Sequence, residues 1–213
     1  MNYITAGQVT AYDQRLMSAG AAIGVIIFLL AFILVAQAVN AGADEQTFTI
    51  DRTNTLPSFE VGHLGLSTPR SQFNETSGKV VMDEQNQRGK VDITIDANSI
   101  DTGIRQLDDV LRKLDFLNVA QHPALNFRSS QFRFNGDKLA AVDGTFTMLG
   151  VSRPVSLNVT HYQCGIDAAS ARYVCDVDAE ASFRRSDYGM TRFIPVVSDE
   201  VKLRIKVKAA RDL

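Results

Sequence analysis

The chain has no tryptophan, only two cysteines and three histidines among 213 residues, and a formal net charge of only -2. Each shortage closes off a class of function. Basic and acidic side chains are interspersed rather than gathered, so there is no electrostatic footprint for nucleic acid and no such partner is expected. His63, His122 and His161 stand at no metal-ligand spacing from one another, from a cysteine or from a carboxylate, so neither a metal nor a cofactor is expected. No G-x-S-x-G element occurs, and Ser186 beside Asp187 does not make a nucleophile with its base, so the chain is not expected to be an enzyme. Cys164 and Cys175 lack the CxxC spacing of a redox pair. In an oxidising compartment they are expected to form a disulfide across the loop from Gly165 to Arg172.

Charge is also missing from Leu16 to Ala43, and within that stretch Ala21 to Val39 is a dense apolar run. Residues 1–43 therefore read as a signal peptide or a membrane anchor, and residues 44–213 as one exported domain. Ala41-Gly42-Ala43 before Asp44 suits a signal peptidase. The length of the run, and a leader in which Asp13 offsets Arg15, suit an anchor instead.

After Asp44 short segments alternate apolar and polar residues, as half-buried antiparallel strands require. In the clearest, Val201, Leu203, Ile205 and Val207 face one way and Lys202, Arg204, Lys206 and Lys208 the other. Val91/Ile93/Ile95 and Val155/Leu157/Val159 repeat the pattern, and Phe48/Ile50, Phe59/Val61, Phe132/Phe134, Phe146/Met148 and Val177 to Phe183 extend it. About eight such strands, with turns at Asn135-Gly136 and Gly150, make an all-β barrel or sandwich.

One long interruption, Ser99 to Phe127, breaks the meander. Leu107, Val110, Leu111 and Leu114 recur at helical spacing and predict an amphipathic helix, capped by Asp101 or Thr102 and stopped by Pro123. A lone helix suits the mouth of a barrel, so the expected fold is an antiparallel up-and-down β-barrel, minor in α, with a helical lid. Alternation then turns Phe59, Val61, Ile93, Phe146, Leu157, Ala179, Ala181 and Leu203 into the lumen, and the helical stripe closes one end. His63 shares the parity of Phe59 and Val61, as a core histidine or a ligand contact. His161 ends the Val155 row at a rim. The stretch Arg184 to Met190 reads as a polar turn in which Arg185 pairs with Asp187, or as a head-group contact. A lumen of aliphatic and Phe side chains suits a long apolar ligand.

Several segments together resemble the YceI-like family of bacterial periplasmic proteins. They are Phe59-Glu60-Val61-Gly62-His63-Leu64-Gly65, Ser99 to Gly103, Leu111-Arg112, Asp115-Phe116, Pro123 with Phe127, Gly144, Leu149 to Val155, and Arg185 to Met190. The resemblance spans about Thr47 to Val207. It implies a lipocalin-like barrel, a periplasmic location either free after cleavage or tethered to the inner membrane, and a polyisoprenoid or isoprenoid quinone as ligand. It implies no catalytic residue. Where many members carry Arg and His in the lid, this sequence has Leu107 and Val110, so no polar contact is transferred to those positions. The rival expectation is a periplasmic adaptor or stress-response structural protein whose barrel is filled by its own side chains. Whether two copies pair as a homodimer is left open by the sequence.

Overall fold

A computed structural model describes residues 45–63 and 69–212. The leader assigned to residues 1–43 lies outside them. Eleven antiparallel segments share one sheet: β1 Gln46–Ile50, β2 Ser58–His63, β3 Arg70–Phe73, β4 Thr76–Asp83, β5 Arg88–Asp96, β6 Ile100–Asp101, β7 Ala124–Asn135, β8 Lys138–Met148, β9 Val151–Ile166, β10 Tyr173–Arg184 and β11 Val197–Arg211. The order β1-β4-β5-β7-β8-β9-β10-β11 returns on itself through Phe48↔Arg211 to Ile50↔Ala209, a closed eight-stranded ring. β2, β3 and β6 prolong three of those strands towards the other end, where β2 pairs with the front half of β11 and β3 with β2 and β6. The barrel is therefore up-and-down throughout, and closure removes its exposed edges. Ala43–Leu213 forms a compact unit whose ring is complete within itself.

Where β1 has ended and β2 has not begun, β11 would lose a backbone partner. The fully buried Thr55 takes that place: its hydroxyl accepts from Lys208 N at 3.2 Å and donates to Lys208 O at 3.3 Å. Beside it Asp51 accepts the backbone N–H groups of Thr53 and Asn54, which shapes the bend.

Two bulges change which residues face in. On β9 the pairing jumps from Asp178↔His161 to Ala179↔Val159, so the inner row runs Val155, Leu157, Val159 and then Tyr162. His161 is thereby exposed on the outer face rather than ending the Val155 row. On β7 the slip between Arg128 and Gln131 carries the inner row from Leu125 and Phe127 to Phe132.

The helix α1 spans only Arg105–Leu111 and stops well before Pro123. Neither Asp101 nor Thr102 caps it; Ile104 stands at the N-cap with no side-chain bond. Instead the buried Asp108 reaches back to accept from Thr102 N at 2.8 Å and Thr102 Oγ1 at 2.7 Å. Four residues on, Arg112 donates to the carbonyls of Asn98 and Ile100. These polar bonds fix which face meets the barrel. The predicted apolar stripe consequently turns outward: Leu107, Val110 and Leu114 are exposed, and of the four only Leu111 packs on the core.

Candidate functional site

The barrel encloses two apolar chambers in series, of about 130 Å³ at the far end and about 120 Å³ at the α1 end. Phe59, Phe73, Leu125, Phe146 and Leu203 wall both and form a waist between them. Phe59 and Phe73 stand side by side on the paired strands β2 and β3, with ring centroids 5.5 Å apart.

The strands deliver most of the predicted lining. Phe59, Phe146 and Leu203 form the waist, Ile93, Leu157 and Ala179 wall the far chamber, and Val61 and Leu111 wall the mouth chamber. Ala181 packs against the core but walls neither chamber. Leu107, Val110 and Leu114 do not reach the lumen, because the Asp108 and Arg112 bonds hold them on the outer face. His63 is also exposed: it is the last residue of β2, opposite Val197, beyond the stretch in which β2 and β11 pair in continuous register.

Polar groups in the lumen are few. Tyr162 lines the far chamber with its ring while its hydroxyl donates to Glu84 Oε1 at 2.7 Å. Burial, reinforced by that carboxylate, holds the phenol well above its ordinary pKa. Thr76, only 1% exposed, lines the same chamber, and its hydroxyl has no hydrogen-bond partner among the described residues. Among these residues no group of His, Cys, Asp or Glu is gathered as a metal would require.

At the mouth, Arg185 is the charged member of the lining, and it is 3% exposed. It does not pair with Asp187. Its Nε donates to Ser198 O at 2.8 Å, Nη1 to Met190 O at 3.0 Å and Nη2 to Val197 O at 3.0 Å, so one guanidinium ties down the loop from Met190 to Ser198. Asp199, the nearby carboxylate, is occupied by Ser186 N and Oγ. Burial lowers the pKa of Arg185, with Asp199 opposing, yet a guanidinium stays cationic at neutral pH. Three of its five N–H groups are spent on those carbonyls.

Next to it Tyr188 stands edge-on to Phe146 at 5.7 Å and to Phe183 at 5.2 Å. Its hydroxyl lacks a protein partner among the described residues, and burial, with Asp187 adding, pushes its pKa up to about 12. Alternation along the Val155 row does not reach Tyr162, whose parity the β9 bulge reverses, and Phe127 stands ahead of the β7 slip at the end of the stretch read as the helical interruption. Cys164 and Cys175 are directly opposite on β9 and β10 and form the expected disulfide at the far end.

Residues 48–209 match the family described as the YceI-like domain. A UPF0312 protein of Pectobacterium atrosepticum is 32% identical over 87% of this chain and 96% of its own. The protein YceI of Salmonella arizonae is 32% identical over 86% of this chain and 97% of its own. Among solved structures, Burkholderia cenocepacia BcnA superposes with a TM-score of 0.63 at 22% identity, covering 75% of this chain and 98% of that one. A polyisoprenoid-binding domain from Saccharophagus degradans gives 0.60 at 16% identity, over 78% and 98%.

Proposed function

The chain belongs to the YceI-like family, and from that premise we propose that it is an exported, non-catalytic carrier holding one polyisoprenoid or isoprenoid quinone in its lumen. The observation that carries this reading is the pair of apolar chambers joined end to end through a waist of side chains rather than backbone. A chain longer than one chamber passes when those rings rotate, and the strands stay in place. Apolar surface contributes about 25 cal/mol per Å² on leaving water, so a few isoprene units outweigh the ordering cost. That the similar Saccharophagus degradans domain is described as polyisoprenoid-binding supports the same ligand class. The ligand lies tail-first, with its head group at the Arg185 end, where the spare guanidinium N–H groups favour an acceptor oxygen. The disulfide agrees with an oxidising compartment, and with it a periplasmic location.

The test is organic extraction of the 44–213 domain, produced with export and oxidation, followed by mass spectrometry. Wild type is expected to release an isoprenoid. Ala179→Phe, which fills the far chamber, is expected to release none while keeping its circular dichroism spectrum. Wild type that releases no lipid and fails to bind added isoprenoid quinone would leave the side-chain-filled adaptor as the better reading.

A further inference from the structure

Most large apolar side chains exposed among the described residues fall in two segments. Ile104, Leu107, Val110 and Leu114 lie along α1 and the turn after it, and Phe193, Ile194 and Val196 lie in the loop before β11. Leu114 is 73% exposed and Phe193 53%. The two segments touch, through Phe116 on Phe193 at 6.2 Å and Arg192 to Asp115 at 3.8 Å. Both also border the mouth chamber, which Leu111, Phe116, Leu117 and Met190 help to wall. The two segments therefore form one apolar patch, a rim beside the opening of the lumen.

The stripe cannot simply roll inward. Asp108 on Thr102 and Arg112 on the Asn98 and Ile100 carbonyls hold the opposite face of the helix against the barrel. Around the rim, Asp109 and Asp115 pair with Arg112 and Arg192, whereas Arg105 and Lys113 have no ion-pair partner among the described residues. The rim is thus apolar at its centre with two exposed, unpaired cations at its border, while the carboxylates of Asp101 and Asp108 are turned onto Gly103 N and Thr102, a pattern that suits an anionic bilayer.

We propose that this rim docks on an anionic phospholipid bilayer and that ligand passes between membrane and lumen while it is seated. The proposal rests on the carrier reading for its purpose, though not for its geometry. A long isoprenoid has almost no life free in water, so transfer without crossing water needs a mouth whose border is itself apolar. A second copy of the chain or a protein partner would equally cover apolar side chains, but neither accounts for the patch lying at the mouth chamber, on the ligand's own path.

The test is flotation of the 44–213 domain with vesicles of equal parts phosphatidylglycerol and phosphatidylethanolamine. Wild type is expected to float, less so as salt rises. Leu114→Glu and Phe193→Glu are each expected to bind about tenfold more weakly. Ile166→Glu, an exposed apolar residue of β9 away from the rim, is expected to float as wild type does. Binding of a detergent-solubilised isoprenoid quinone is expected to be unchanged in Leu114→Glu, which shows the lumen intact. Wild type that fails to float, or rim variants that float like wild type, would overturn the proposal. So would a dimer that Leu114→Glu dissociates in the absence of flotation. Wild type that floats with rim-dependent affinity but holds no lipid would retire the carrier reading and leave the docking face standing.

Discussion

The ring of Phe127 on β7 fills the space that a side chain on Gly144 of β8 would occupy: a Cβ there would stand 2.5 Å from the ring's Cζ and 2.6 Å from the carbonyl oxygen of Arg128. The ring could shift, but the carbonyl belongs to the bulged backbone and cannot. Gly144→Ala is therefore expected to destabilise the barrel by about 1–3 kcal/mol, through overpacking against a fixed neighbour. Urea unfolding followed by circular dichroism measures it, and an unchanged midpoint would mean that the bulge yields.

Gly89 stands in the same relation to Phe132, so two rings from β7 lie over glycines of the strands on either side. Strict period-two strands such as β11 were legible because their apolar row survives to the end of the strand. The lumen wall around β7 and β9 was not, since a single inserted residue reverses the parity and leaves no mark in composition. The helix misled for a different reason. Its apolar stripe is expected from the sequence to close one end of the barrel, but the bonds of Asp108 and Arg112 to the preceding loop hold the opposite face inward and leave Leu107, Val110 and Leu114 outside.

Thr76 presents a buried hydroxyl with no partner among the described residues. Thr76→Val keeps the shape and removes the unsatisfied group, so the ligand-free barrel is expected to gain about 1 kcal/mol. Denaturant midpoints of the delipidated proteins decide it. A loss of similar size would show that the hydroxyl has a partner in solution, such as an ordered water.

Arg185→Lys keeps the charge but cannot bridge the Met190, Val197 and Ser198 carbonyls together. Both Arg185→Lys and Arg185→Gln are expected to lose about 2–4 kcal/mol and to release the loop from Met190 to Ser198. Hydrogen exchange in that loop is the readout. Protection retained in the lysine variant would mean that charge, not the fork of donors, holds it.

Asp167 accepts from Lys208 Nζ at 2.9 Å and from Ser170 N at 2.8 Å, tying the β9–β10 hairpin to β11. The Lys208 hydrogen bond, followed by those from Ser170, holds this carboxyl well below the ordinary carboxylate range. In the unfolded chain it titrates near pH 4, so the folded state binds fewer protons in acid. Its contribution is full above about pH 4 and is lost as pH falls from there through the lowered folded value. Asp167→Asn is expected to lower the melting temperature at neutral pH and to flatten its decline between about pH 5 and pH 2. A decline as steep as in wild type would assign the acid sensitivity to other carboxylates.

The seam of the ring joins Phe48 to Arg211, near opposite ends of the domain, whereas the other junctions join strands much nearer in sequence, the widest being β1 with β4 and β5 with β7. The hairpins from β7 to β10 can assemble as the chain emerges, but the last contact waits for the final strand and carries the largest loop-closure cost. Until it forms, the sheet is open and its apolar face has no opposite wall. A folding chain thus passes through a stage in which the future lumen is a groove, and a lipid encountered then would be enclosed by the zipping of β1 onto β11 rather than threaded through the mouth.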